Sequence, residues 1–214
     1  MKKAVVFLLF FFLIFTGIVF SNPESVIKLE YDLLVMNEKV AAEFAEFKIL
    51  NTGTEIISKT ELNSEDENAV YSTNSKVENS IVHEYNLNLE FNEKVHVFNL
   101  KKNEGKYSLK YGKKAIDIES DETTVVIDNN VSWLWQVFYD YYKTTNLSNY
   151  NALIPQLIAY GEEVTVPLEI TRKTEIEDET NLFIKFGGNS GLIKVNDEGI
   201  VKLVLIGVAK SELK

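Results

Sequence analysis

The sequence predicts a mainly β protein of the α+β kind, in which a curved antiparallel sheet or half-barrel packs on one aromatic helix near the middle of the chain. Three observations carry this. Apolar and polar residues alternate over many short runs from Ile27 onward, turn residues such as Asn, Asp, Glu and Gly separate the runs, and the period changes clearly from 2 to about 3.6 at Val131 to Lys143. A β-sandwich is the alternative that so many short strands also allow.

The first strand is read from Ile27, Leu29, Tyr31, Leu33 and Val35, apolar at alternate positions with Lys28, Glu30 and Asp32 between them. Asn37 to Lys39 turn it into Val40 to Leu50, where Ala41, Glu43, Ala45, Phe47 and Ile49 share one side. After Asn51 to Gly53 a strand resumes over Glu55 to Leu62, with Ile56, Ser58, Thr60 and Leu62 on one face. Asn63 to Asn68 reads as a solvated loop, and Ala69 to Val77 as a weaker segment. Ile81 to Phe91 has the cleanest alternation in the chain. With Lys94 to Lys101 and Lys106 to Tyr111 it predicts an antiparallel meander, followed by a short pair around Ala115 to Glu119 and Thr123 to Ile127.

Asp128, Asn129 and Asn130 then offer N-caps to a helix near 131–144, with Gln136, Asp140 and Lys143 on one narrow polar stripe. Its other side chains are nearly all large and apolar, and leaving eight of them in water would cost on the order of 10 kcal/mol or more. A flat sheet covers one face of a helix, so this one predicts a sheet that curves around it, or a sheet together with the segment that follows. Leu147 to Tyr160 fits short helical turns interrupted by Pro155 and ended by Gly161. Strands return at Val164 to Thr174, Leu182 to Phe186, Leu192 to Val195 and Ile200 to Ala209, with Gly187 to Gly191 as a hairpin loop. Residues 22–214 carry no repeat and no linker and are expected to form one domain.

Met1, Lys2 and Lys3 precede an uncharged run from Ala4 to Phe20, the layout of a signal peptide over residues 1–21. The lysines keep the start of the chain on the cytoplasmic side, so the body is expected outside the membrane, periplasmic or secreted. Seventeen residues make about 25 Å of helix against a hydrocarbon core of roughly 30 Å, which favours cleavage after Ser21; an uncleaved anchor is the alternative. Without the segment the chain has 20 basic and 32 acidic residues, a net charge of −12, and Arg172 is its one arginine. Such a chain is unsuited to nucleic acid. There is no cysteine, which removes disulfides, thiolate metal sites and thiol nucleophiles.

Five helix residues, Trp133, Trp135, Phe138, Tyr139 and Tyr142, are the candidate ligand-binding set, lining a cleft for an acyl chain or another apolar partner. Core packing is the reading favoured over it. His83 and His96 fall on neighbouring strands, but a hairpin centred on Asn92 and Glu93 pairs His96 near Leu89 or Glu90, too far from His83 for a shared metal. The acidic clusters around Glu65 to Glu67, Asp117 to Glu122 and Glu175 to Glu179 lack the spacing of a calcium loop. No serine elbow occurs, and no cofactor or metal is expected.

The order of signal peptide, long antiparallel strands, aromatic helix and further strands resembles the bacterial envelope half-barrels of the lipoprotein-carrier type. That resemblance implies a curved sheet closed by a helix, sometimes holding a lipid, and assigns no residue a role. The expectation is a non-catalytic extracytoplasmic envelope protein, structural or binding a membrane or envelope partner. A carrier of an apolar ligand such as a lipid or acyl chain is the alternative, and a hydrolase without a recognisable motif the third.

Overall fold

The computed structural model describes residues 25–63, 68–128 and 130–214. The segment read as a signal peptide, the acidic residues Glu65, Asp66 and Glu67, and the cap candidate Asn129 lie outside the described residues.

In chain order the elements are β1 (Ser25–Val35), β2 (Glu38–Leu50), β3 (Gly53–Asn63), β4 (Asn68–Glu78), β5 (Ile81–Phe91), β6 (Lys94–Asn103), β7 (Lys106–Tyr111), β8 (Lys114–Glu119) and β9 (Thr124–Val126). Then follow α1 (Trp133–Thr145), β10 (Asn149–Leu153), a single turn of helix α2 (Leu157–Tyr160), β11 (Thr165–Ile176), β12 (Glu179–Phe186), β13 (Asn189–Val195), β14 (Val201–Ile206) and β15 (Ala209–Leu213). All fifteen strands join one open sheet, running from β8 back to β1, across to β15 and back again to β9. The pairing is antiparallel except between β9 and β10. A single curved sheet replaces the two stacked sheets that a sandwich would need.

Local sequence sets the hairpins. Met36 and Asn37, Asn79 and Ser80, and Asn92 and Glu93 are consecutive residues with positive φ, each between paired strand ends such as Val35 with Glu38. These are two-residue turns of the I′ kind, whose twist matches that of the strands, and asparagine tolerates the left-handed region. The third turn pairs Leu89 with His96, the register read from the sequence.

Registers propagate across the concave face as rows. The outermost runs Leu33, Ala41, Leu62, Ala69 and Phe91; the next Tyr31, Glu43, Thr60, Tyr71, Leu89 and His96; the third Ala45, Ser58, Thr73, Leu87, Phe98 and Tyr111. A fourth holds Phe47, Ile56, Ser75, Tyr85, Leu100 and Leu109, all buried.

α1 lies in the hollow. It touches β5, β14 and β9, the fourth, tenth and fifteenth strands in sheet order, and β5 also touches β9. Strands so far apart in a sheet can meet one helix only if the sheet curls round it. Trp133, Leu134 and Val137 join the core of the β2–β7 half, while Trp135, Phe138, Tyr139, Tyr141 and Tyr142 join that of the β9–β14 half. Trp133 is fully buried, its indole donating to Ser58 at 3.1 Å and Thr73 at 3.3 Å, which explains why those strands put small hydroxyl residues inside.

Several elements differ from the expectation. The helix begins at Trp133, and its N-cap Ser132 makes no side-chain cap bond. Residues 149–153, read as helical turns, form β10, because Tyr150, Ala152 and Leu153 bury against β9 and β11. The last predicted strand is a hairpin, β14 and β15, since Gly207 at φ 57° reverses the chain. Gly187 and Gly188 make a turn, whereas Asn189 to Gly191 belong to β13. β8 and β9, expected together, form opposite edges of the sheet: Asp121 takes the Thr123 N–H at 2.8 Å and turns the chain away between them.

Trp133→Ala is expected to lower stability in urea unfolding by about 3 to 5 kcal/mol, against less than about 0.5 kcal/mol for Val95→Ala, whose side chain is exposed on the convex face.

Candidate functional site

Polar side chains converge where α1 begins. Glu43, Ser58, Thr60, Thr73, Ser75, Asp128 and Ser132 are all buried there. Buried polar groups must find partners. Glu43 reaches from β2 to accept the Ser132 N–H through Oε2 at 2.6 Å, supplying from the sheet the cap that the helix lacks in its own sequence. Its Oε1 has no hydrogen-bond partner among the described residues. Asp128 accepts the Asn130 N–H at 2.9 Å and the Tyr85 O–H at 2.9 Å, and the Gln156 amide also donates to it. The Thr60 hydroxyl donates to the Asn130 carbonyl at 3.2 Å, and the Asn130 amide to the Tyr71 hydroxyl at 3.3 Å.

Burial dominates the titration of both acids. It pushes Glu43 from 4.5 up to about 7, with Ser132 and Ser58 easing the ionised form and Asp128 opposing it. It pushes Asp128 from 3.8 up to about 6, against the hydrogen bonds from Asn130 and Tyr85. Burial and the nearby Asp128 also raise Tyr71 to about 12, so that its phenol keeps its proton at neutral pH.

Two clefts flank this cluster and share Asn130. The larger, about 550 Å³, opens between β4 to β7 and the segment Ile154–Tyr160. Its wall is apolar and aromatic, with Tyr71, Leu89, Phe91, Phe98 and Tyr111 from the strands and Leu157 opposite. Asp128, Asn130 and Gln156 line it from the buried cluster, while Lys94, exposed in the outermost row beside Phe91, belongs to its rim. The Tyr111 ring stacks on Phe98 at 4.6 Å and its hydroxyl meets His96 Nδ1 at 2.7 Å. The smaller cleft, about 280 Å³, lies between the β1–β2 and β14–β15 hairpins and reaches Ser132 and Trp135.

Of the five aromatic residues singled out in the sequence, none lines the larger cleft, and Trp135 lines the smaller one. All five are buried. Trp133 sits by Tyr85, Trp135 meets Phe138 and Phe186 edge-on, Phe138 meets Tyr150, and Tyr139 and Tyr142 lean on each other. The residues that do form the larger cleft were not candidates, because four strands and a distant segment contribute to it. Glu43 had a legible signal, an acid in phase with Ala41, Ala45 and Phe47. Among the described residues no group of three or more His, Asp or Glu is placed to hold a metal, and no helix is long and apolar enough to cross a membrane.

The fold and the clefts define a barrel-like β protein with an open, aromatic-walled hollow beside its central helix. The sequence matches no protein-family model and no curated protein. In fold the chain is similar to a beta-barrel-like protein of the domain of unknown function DUF1849 from Brucella abortus, with a TM-score of 0.54 at 10% identity, covering 87% of this chain and 94% of that one. It is also similar to a DUF1089 family protein from Pseudomonas aeruginosa, with a TM-score of 0.50 at 10% identity, covering 74% of this chain and 86% of the other.

Because Glu43 binds its proton more tightly when folded, the native state holds more protons than the unfolded chain between pH 4.5 and about 7, and stability falls as pH rises through that window. Asp128 acts the same way from 3.8 to about 6. Glu43→Gln, whose amide oxygen can still take the Ser132 N–H, is expected to remove up to about 3 kcal/mol of this decline, read as a shallower dependence of the urea midpoint on pH between 5 and 8. An unchanged slope would show that Glu43 is not the titrating group.

Proposed function

We propose that this is an exported, non-catalytic binding protein that holds an apolar molecule in the larger cleft. The observation that carries the reading is the cleft itself: about 550 Å³ walled by Tyr71, Leu89, Phe91, Phe98 and Leu157, within the size range of small-molecule sites. The five helix aromatics singled out in the sequence are buried and none of them borders this cleft, whereas these side chains do. Glu43 and Asp128 support a binding role over a catalytic one, since both are committed to the start of α1. Export is supported by the lysine-flanked apolar run before Asn22.

Protein purified from the envelope fraction of its own cells is expected to carry extractable apolar material at near-stoichiometric amounts by mass spectrometry. Leu89→Trp, which places an indole in the cleft, should reduce that load severalfold without loss of fold. Clean protein in both cases would overturn the reading. A reporter enzyme fused after Lys214 that worked only in the cytosol would remove the export assignment.

A second reading, docking to an envelope or membrane partner, is favoured by one feature. The β1–β2 and β14–β15 tips are joined by the Met36 N–H to the Val208 carbonyl at 3.1 Å and leave both side chains largely exposed. Met36→Ser with Val208→Ser should then release the protein from washed membranes while the apolar load persists.

A further inference from the structure

If the larger cleft is a binding site, the polar groups at its inner end restrict what can enter. Asp128 is buried there, and three donors converge on its carboxylate: the Asn130 N–H, the Tyr85 O–H and the Gln156 amide. A carboxylate offers about four acceptor positions, so one is left. An ionised carboxylate only accepts, so the Gln156 NH₂ faces it and the amide oxygen turns away; that Oε1 is buried with no partner among the described residues. Tyr71, on the same wall, takes the Asn130 amide proton and still has its own O–H to give. The inner end thus presents two open acceptors, on Asp128 and on Gln156 Oε1, and one donor, the Tyr71 O–H, and asks for a group that both donates and accepts.

A hydroxyl does both. A carboxylate would meet Asp128 as a like charge and leave Gln156 Oε1 unpaired, an ether could accept from Tyr71 but donate nothing, and an ammonium could donate but not accept. The cationic Lys94 belongs to the rim beside Phe91, so it does not make the inner end suitable for an anion. We propose that the cleft takes an uncharged apolar alcohol, its hydroxyl turned inward to accept from the Tyr71 O–H and to donate to Gln156 Oε1 beside Asp128, and its hydrocarbon lying along Leu89, Phe98 and Leu157.

Calorimetric titration of the full chain at pH 7.5 with 1-decanol, 1-methoxydecane and decanoate tests this. Decanol is expected to bind about tenfold tighter than methoxydecane, the effect of one hydrogen bond to a charged or otherwise unpaired buried acceptor, and decanoate more weakly still. Tyr71→Phe should weaken decanol and methoxydecane alike by severalfold and keep the ratio between them. If all three probes bind equally and Leu89→Trp abolishes them equally, the alcohol assignment is overturned while the cleft remains a binding site. Decanoate binding tightest, or Tyr71→Phe leaving both neutral probes unchanged, would likewise overturn it. If none of the three binds, the cleft reading itself falls.

Discussion

A helix with two tryptophans, three tyrosines and a phenylalanine around almost its whole circumference has no face that can be left in water. Trp133 and Val137 point to one half of the sheet, and Trp135, Phe138 and Tyr142 to the other. The sheet satisfies both by bending until strands near its two ends meet the same helix. The curvature, the near approach of β5 to β9 and the hollow beside α1 all follow from this one demand for cover. The polar residues inside β3 and β4 follow as well, since an enclosed indole N–H needs an acceptor that a wholly apolar strand could not supply.

Enclosing a helix also encloses its first turn, whose N–H groups no longer reach water. In this fold the remedy comes from elsewhere in the chain: Glu43 from β2 meets Ser132, and Asp128 holds Asn130. The sites of greatest electrostatic cost therefore sit at the helix entrance, and both clefts begin there. A hollow that joins apolar walls to a few fixed polar groups is the arrangement by which binding sites orient a ligand.

Much of the architecture was legible in the sequence. β5 alternates cleanly, the Asn92–Glu93 turn fixed its pairing with β6, and the breadth of the aromatic helix required a curved sheet. β4 read weakly because Thr73 and Ser75 occupy inward positions, where a periodicity argument expects apolar residues. β10 was misread because Leu147, Tyr150, Ile154 and Leu157 happen to recur at helical intervals, and only contact with β9 and β11 selects the strand. The cleft was out of reach for another reason. Tyr71, Leu89, His96, Tyr111 and Gln156 share no spacing; registers across four strands and a distant segment bring them together.

Among the described residues the first and last strands are neighbours: Lys214 donates its backbone N–H to the Glu30 carbonyl at 3.0 Å, across a sequence separation of 184 residues. Every other ladder links strands consecutive in the chain, so two arms can zip up by short-range steps while this junction waits for both ends. Cutting the chain in the 120–123 turn and splicing Lys214 to β1 would turn the sheet into one uninterrupted walk from β9 to β8, with its strands in simple sequential order. In the sheet itself the seam is one more antiparallel pairing between neighbours, and its geometry is indifferent to the sequence distance it spans.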